Sequence, residues 1–207
     1  MRSLHALLLG LAMQGCALFT KADPLDPTYY TPEPFAASPS TATPPPDLAL
    51  RLGPVTSGSE IRQNLVVRTE GDELSFSEEQ RWTEKPEAYL RRALSQELFE
   101  RRGVRRIVSG PSLAIEVELV AFEEVVRGDG HFARVVATLI LHDERVVREE
   151  RTMTAEVPIA NATKAQHSPD TVRALSSALE RVVSDIADDV CRPKERAESV
   201  ATGVGLQ

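Results

Sequence analysis

Cysteine is nearly missing: Cys16 and Cys191 are the only two in 207 residues. Two cysteines, one of them beside a leader-like stretch, exclude the disulfide framework of a stapled secreted mini-protein. Histidine is scarce too. His5 lies in the first segment, and His131, His142 and His167 fall at strand edges or in a loop, none spaced with a Cys or acid as zinc ligands are. The motifs of common chemistry are missing as well: there is no G-x-S-x-G elbow, no phosphate-cradling G-x-x-x-x-G-K-[ST] and no G-x-G-x-x-G after a strand. No catalytic residue, metal ligand or cofactor is therefore assigned, and an enzyme is not expected. Basic charge is short. The formal net charge is −7, and losing Arg2 with a leader makes it −8, so the basic face that nucleic acid requires is not supplied. Long hydrophobic runs are absent too: the longest apolar stretch, Leu4 to Met13, is half of what a bilayer-spanning helix needs.

That stretch follows Met1-Arg2-Ser3 and ends at Gln14-Gly15-Cys16, the layout of a cleaved signal peptide over residues 1–15. A cysteine directly after the small Gly15 resembles the bacterial lipobox, whose thiol takes a diacylglycerol, so lipidation is expected at Cys16. An ordinary secretory signal with a fortuitous cysteine is the alternative. Several acyl chains hold a membrane firmly where one is marginal. With Ala17 next, the sorting rule of enteric bacteria points to the outer membrane, facing the periplasm; an inner-membrane anchor is the alternative. Residues 16–46, rich in Pro, Ala, Ser and Thr, cannot build a core and are expected to act as a tether. It would reach roughly 30 Å as a coil and about 90 Å if fully polyproline-like.

Residues 47–192 read as one α+β domain, and 193–207 as a flexible tail. Leu48, Leu50 and Leu52 alternate with polar neighbours, a strand expected to end at Gly53-Pro54. Leu65 to Thr69 and Leu74 to Ser77 form a hairpin across a Gly-containing link. Pro86 opens a helix whose Leu90, Ala93, Leu94 and Leu98 share a face, and Gly103 ends it. Leu113 to Phe122, His131 to His142 and Val146 to Val157 are extended segments joined by short turns, an antiparallel meander. Ser168-Pro169-Asp170 then starts a second helix, carrying Val172, Leu175, Leu179, Val182, Val183, Ile186 and Val190 at helical spacing. The resulting order, β-β-β-α-β-β-β-α, implies an antiparallel sheet with both helices packed on one face.

Few side chains stand out against that scaffold. Arg81-Trp82 holds the only tryptophan, placed between hairpin and helix. Core packing is the first reading of Trp82. An exposed Trp beside Arg would instead mark a partner interface, because both types are enriched at binding hot spots. The arginines 101, 102, 105 and 106 are explained by the dipole of the preceding helix. The acid pairs Glu78-Glu79, Glu123-Glu124 and Glu149-Glu150 point to opposite faces of their strands and read as solvated. Cys191 reads as a half-buried small hydrophobe, with an intermolecular disulfide as the sharper alternative.

The ordered features together resemble the auxiliary lipoproteins of ABC-type and MCE-type envelope transporters, the PqiC-like family. The resemblance runs from Cys16 through Tyr29-Tyr30-Thr31, Leu50 to Val55, Leu65 to Arg68 and Arg81-Trp82 to Leu175 to Leu179 and Asp185 to Ala187. In that family Tyr-Tyr-Thr begins a strand; if it does so here, the tether shrinks to residues 17–27. The resemblance implies a lipid-anchored accessory subunit that docks onto the MCE component of a transporter with an ABC permease and ATPase. It would help lipids or hydrophobic solutes pass between membranes by assembly, as a possible homo-oligomeric ring, without chemistry. A periplasmic lipid-binding carrier lipoprotein is the alternative.

Overall fold

The computed structural model describes residues 25–32, 47–69, 73–143, 145–160 and 169–192. Cys16, most of the tether, Ser168 and the tail lie outside them. Eight strands and two helices follow in the order β1 (Thr28–Tyr30), β2 (Ala49–Ser57), β3 (Asn64–Arg68), β4 (Leu74–Trp82), α1 (Pro86–Ser95), β5 (Arg105–Arg106), β6 (Leu113–Arg127), β7 (Gly130–His142), β8 (Val147–Pro158) and α2 (Pro169–Cys191). The expected α+β order is recovered, with two short strands added. One is β1, so the Tyr-Tyr-Thr segment does join the sheet, pairing with β4. The other is β5, a two-residue strand at the edge beside β2.

The meander β6-β7-β8 is antiparallel and continuous, and the hairpin β3-β4 is antiparallel too. Elsewhere the sheet is mixed. β2 and β3 both run parallel to β6, on the same flank of that long strand: β2 covers Leu113 to Leu119, and β3 covers Glu124 and Val125. The sheet therefore forks along β6. At 15 residues β6 is long enough to seat the two partners end to end.

Both helices close one face. Along β7, Ala133, Val135, Ala137, Leu139 and Leu141 are buried in strict alternation. The two alanines leave the room that α2 occupies above them. All seven apolar residues assigned to α2 by spacing are buried, Leu179, Val182 and Ile186 completely. Each such side chain contributes roughly 1.5–3 kcal/mol of burial before the entropy of ordering is subtracted. α1 begins at Pro86, where the missing N–H costs nothing, and Glu87 lies in its first turn near the positive end of the helix dipole.

Two bulges correct the sequence reading. β2 does not stop at Gly53-Pro54. It carries two residues there against the single Glu116 of β6, then resumes register at Val55 opposite Val117. A bulge is where a strand tolerates a proline with no N–H to give. Gly53 fits because a Cβ would come 3.1 Å from both the Glu116 Cγ and the Ile115 carbonyl. In β6 the extra residue is Val120, between Leu119 opposite Ala137 and Ala121 opposite Val136. It moves the inward set from odd to even positions, so Phe122 and Glu124 follow Leu119 onto the helix-covered face.

Candidate docking site

Cys16 lies outside the described residues. The other two residues singled out, Arg81 and Trp82, are the last two of β4, not a link beyond it. Trp82 is 1% exposed. Its ring stands edge-on to Phe122 at 5.1 Å and to Tyr89 of α1 at 6.2 Å, closing the end of the layer where α1 begins. Core packing is what the structure shows for Trp82, so its side chain offers a partner no surface. Arg81 alternates to the opposite side and is half-buried, its Nε donating to the Glu78 carbonyl at 3.3 Å.

Arg81 lines an open groove of about 600 Å³ at the fork of the sheet. One wall is the end of β2, Val55 to Ser57; the loop from Gly58 to Gln63 and Asn64 of β3 form the floor; Arg81, Lys85 and Glu87 close the other side. The fold dictates this cleft. β2 and β3 meet the same flank of β6, and the loop that joins them must bridge the fork, held by the Gly58 N–H on the Leu119 carbonyl at 3.4 Å. Past Leu50, where β5 ends, no described strand covers the outer flank of β2.

The electrostatics of the groove are uneven. Arg62, exposed, donates its Nε to the Ser59 carbonyl at 3.1 Å, and like Arg81 it pairs with no carboxylate among the described residues. Lys85 reaches only to 3.9 Å from Glu87. Glu87 is the one acid among the lining residues, and it already accepts the Ser57 hydroxyl at 3.0 Å. A second groove adjoins the first through Ser59, Arg62 and Asn64 and adds Phe76, an aromatic ring 45% exposed, with Glu60 and Glu78.

The histidines do not gather. His131 Nδ1 lies 2.5 Å from Glu124 Oε1, and the other oxygen of Glu124 accepts the Thr171 hydroxyl at 3.3 Å under the first turn of α2. His142 contacts Glu116 at 3.2 Å. The two imidazoles stand at opposite ends of β7, about 36 Å apart at the rise of an extended strand. Among the described residues no group of three His, Cys, Asp or Glu side chains is placed to hold a metal ion.

Two readings of charged residues need correction. Glu123 and Glu124 do point to opposite faces, but neither is solvated: they are 3% and 5% exposed. The bulge at Val120 turns Glu124 under α2, while Glu123 is covered on the open face by Arg68 and Arg134. The helix dipole likewise does not account for Arg102. The last turn of the first helix widens into a π-helical turn, Gln96–Arg101, and brings Arg102 inward, where its side chain is 1% exposed. It binds Glu97 at 2.9 Å and Asp188 of α2 at 2.5 Å, joining the two helices. Burial opposes its charge, and these two carboxylates outweigh that and raise its pKa. Cys191 is fully buried beside it, not half-buried, and burial pushes its thiol up. A thiol so enclosed is no donor to an intermolecular disulfide.

A sequence profile of the family described as the ABC-type transport auxiliary lipoprotein component matches residues 30–187. The chain belongs to this family. The family match takes in Arg81, Trp82 and every residue that lines the main groove. Among solved structures, protein XCC0632 from Xanthomonas campestris is similar with a TM-score of 0.61 at 19% identity, over 79% of this chain and 95% of that one. An uncharacterized protein is similar with a TM-score of 0.61 at 13% identity, over 80% of this chain and 99% of its own. At these identities the likeness is one of fold. No curated protein matches the sequence.

Proposed function

We propose that the chain is a lipid-anchored, non-catalytic docking subunit that couples an ABC transporter to an MCE component carrying lipids or hydrophobic solutes between membranes. The family match over residues 30–187 is the observation that carries this reading. Two features of the molecule support it. The groove at the fork offers a guanidinium-lined surface to a partner, and the two His–Glu pairs are held apart at opposite ends of β7.

The anchor is Cys16, acylated after removal of residues 1–15, and the span from Ala17 to Pro27 ties the membrane to β1. Its site is the outer membrane, facing the periplasm. Exchange of Cys16 for Ser tests the anchor. The domain should move from the membrane fraction to the soluble periplasm while its melting temperature stays the same. Continued membrane association of Cys16→Ser would refute the anchor.

A further inference from the structure

The groove at the fork has more to it than a cleft with two arginines. On its β2 wall Val55, Thr56 and Ser57 pair with β6 on one side, and past Leu50 no described strand lies on the other; α1 touches this stretch only through side chains, Arg91 on the Gly53 carbonyl at 2.8 Å and Glu87 on the Ser57 hydroxyl at 3.0 Å. A strand flank without a partner strand is a template for another extended chain. Facing that flank stand Arg62, Arg81 and Lys85, with Glu87 the only acid among the lining residues. Both guanidiniums spend one N–H on a backbone carbonyl and keep their paired terminal N–H groups, the fork that grips a carboxylate in two parallel bonds. The hydroxyl of Ser59 adds a neutral partner, and the ring of Phe76 continues the path into the adjoining groove. Glu60 and Glu78 border that second groove, and the Glu60 carboxylate also lies against Gly58, so the cationic stretch is confined to the side of the first groove that Arg62, Arg81 and Lys85 line.

We propose that this groove receives an extended, carboxylate-bearing segment of a partner protein, its backbone along the outer flank of β2 and its acidic side chains on Arg62 and Arg81. The proposal rests on the docking role put forward above and names the chemistry of the partner at this surface. Charge complementarity selects an acidic segment in the first groove, whose lining sets Arg62, Arg81 and Lys85 against Glu87; Glu60 and Glu78 limit the acidic side chains to that stretch. The open strand flank selects an extended segment over a helix, because only an extended chain presents N–H and C=O groups sideways to β2.

Fluorescence anisotropy with the full chain tests it, using as probe a labelled eight-residue peptide of alternating Glu and Val and, for comparison, its Lys-Val counterpart. The acidic peptide should bind saturably, the basic one should not, and Arg62→Glu with Arg81→Glu should weaken the acidic peptide by roughly tenfold or more. Arg105→Glu with Arg106→Glu, two exposed arginines of β5 away from the groove, should leave binding unchanged. Should the double charge reversal fail to fold, Arg62→Gln with Arg81→Gln removes the same contacts and should also weaken binding. Equal binding by wild type and these groove variants, or no saturable binding of the acidic peptide, overturns the proposal. Competition by inorganic phosphate at concentrations matching the peptide does so as well, because a small-anion site would then suffice. The docking role is read separately. If a transporter subunit co-purifies equally with wild type and the groove variants, the groove proposal fails and the docking role stands. If it co-purifies with neither, the docking role itself fails.

Discussion

Replacing Trp82 by Ala separates a core residue from an interface residue. The indole is 1% exposed and wedged edge-on between Phe122 and Tyr89. Truncating a buried aromatic to Ala costs about 3–5 kcal/mol through lost transfer energy and the cavity left behind. The two edge-to-face contacts, each worth about 0.5–1.5 kcal/mol beyond area, place Trp82 toward the upper end. Against a total stability of about 5–15 kcal/mol, that is a third of the margin or more. With a urea slope of about 2 kcal/mol per molar, the unfolding midpoint of Trp82→Ala should fall by about 2 M, followed by far-ultraviolet circular dichroism. Since Trp82 is the only tryptophan in the sequence, wild-type emission reports on it alone. It should be blue-shifted and insensitive to acrylamide. A midpoint shift under about 0.5 M, or ready quenching, would refute the core assignment and return Trp82 to the surface.

Two other perturbations probe the charged framework. Arg102→Ala leaves the carboxylate of Glu97 buried, and should cost about 3 kcal/mol in urea unfolding. That is the low end for a broken buried pair, because Arg101 still pairs with Glu97 and the Asp188 side chain is 40% exposed. Combining Arg102→Met with Glu97→Leu should recover most of the loss, as apolar pairs replace buried ion pairs at little cost; no recovery would argue against a shared network. Asp143 caps the turn between β7 and β8, and the Arg145 N–H, the Arg148 guanidinium and the Val146 N–H hold its carboxyl down to about 2. A folded value below the unfolded one means that its stabilisation is present above about pH 4 and disappears as pH falls through about 2. Asp143→Ala should thus lower the melting temperature at neutral pH and match wild type below about pH 2. A gap that persists in acid would contradict this.

Much of the scaffold was legible because one period dominates each long element. The heptad-like spacing in α2 and the alternation in β6 and β7 identify their buried faces directly, and Pro86 places the start of α1 to the residue. The misreadings sit where the period breaks. Gly53-Pro54 is an ordinary strand terminator in sequence, and only the partner Glu116 across the sheet reveals a bulge that lets β2 run on to Ser57. That extension builds one wall of the groove, which is why the groove was invisible while Arg81, on its far side, was not. Val120 carries a similar lesson: the inward residues change from Leu119 to Phe122, an odd-to-even change that was present in the sequence as a signal for buried Glu124. The inward turn of Arg102 depends on a π-helical turn, and no local pattern in Gln96–Arg101 distinguishes that from a plain helix end. The parallel pairing of β2 and β3 on one flank of β6 is a tertiary choice made by contacts distant in sequence.

Co-purification from solubilised envelopes addresses the docking role most directly. The full chain, tagged after Gln207 and expressed with an MCE protein and an ABC permease from the same genome, should elute in one complex with them on size exclusion. Elution of the chain alone, with those subunits assembled without it, would contradict its assignment as a docking subunit of the transporter.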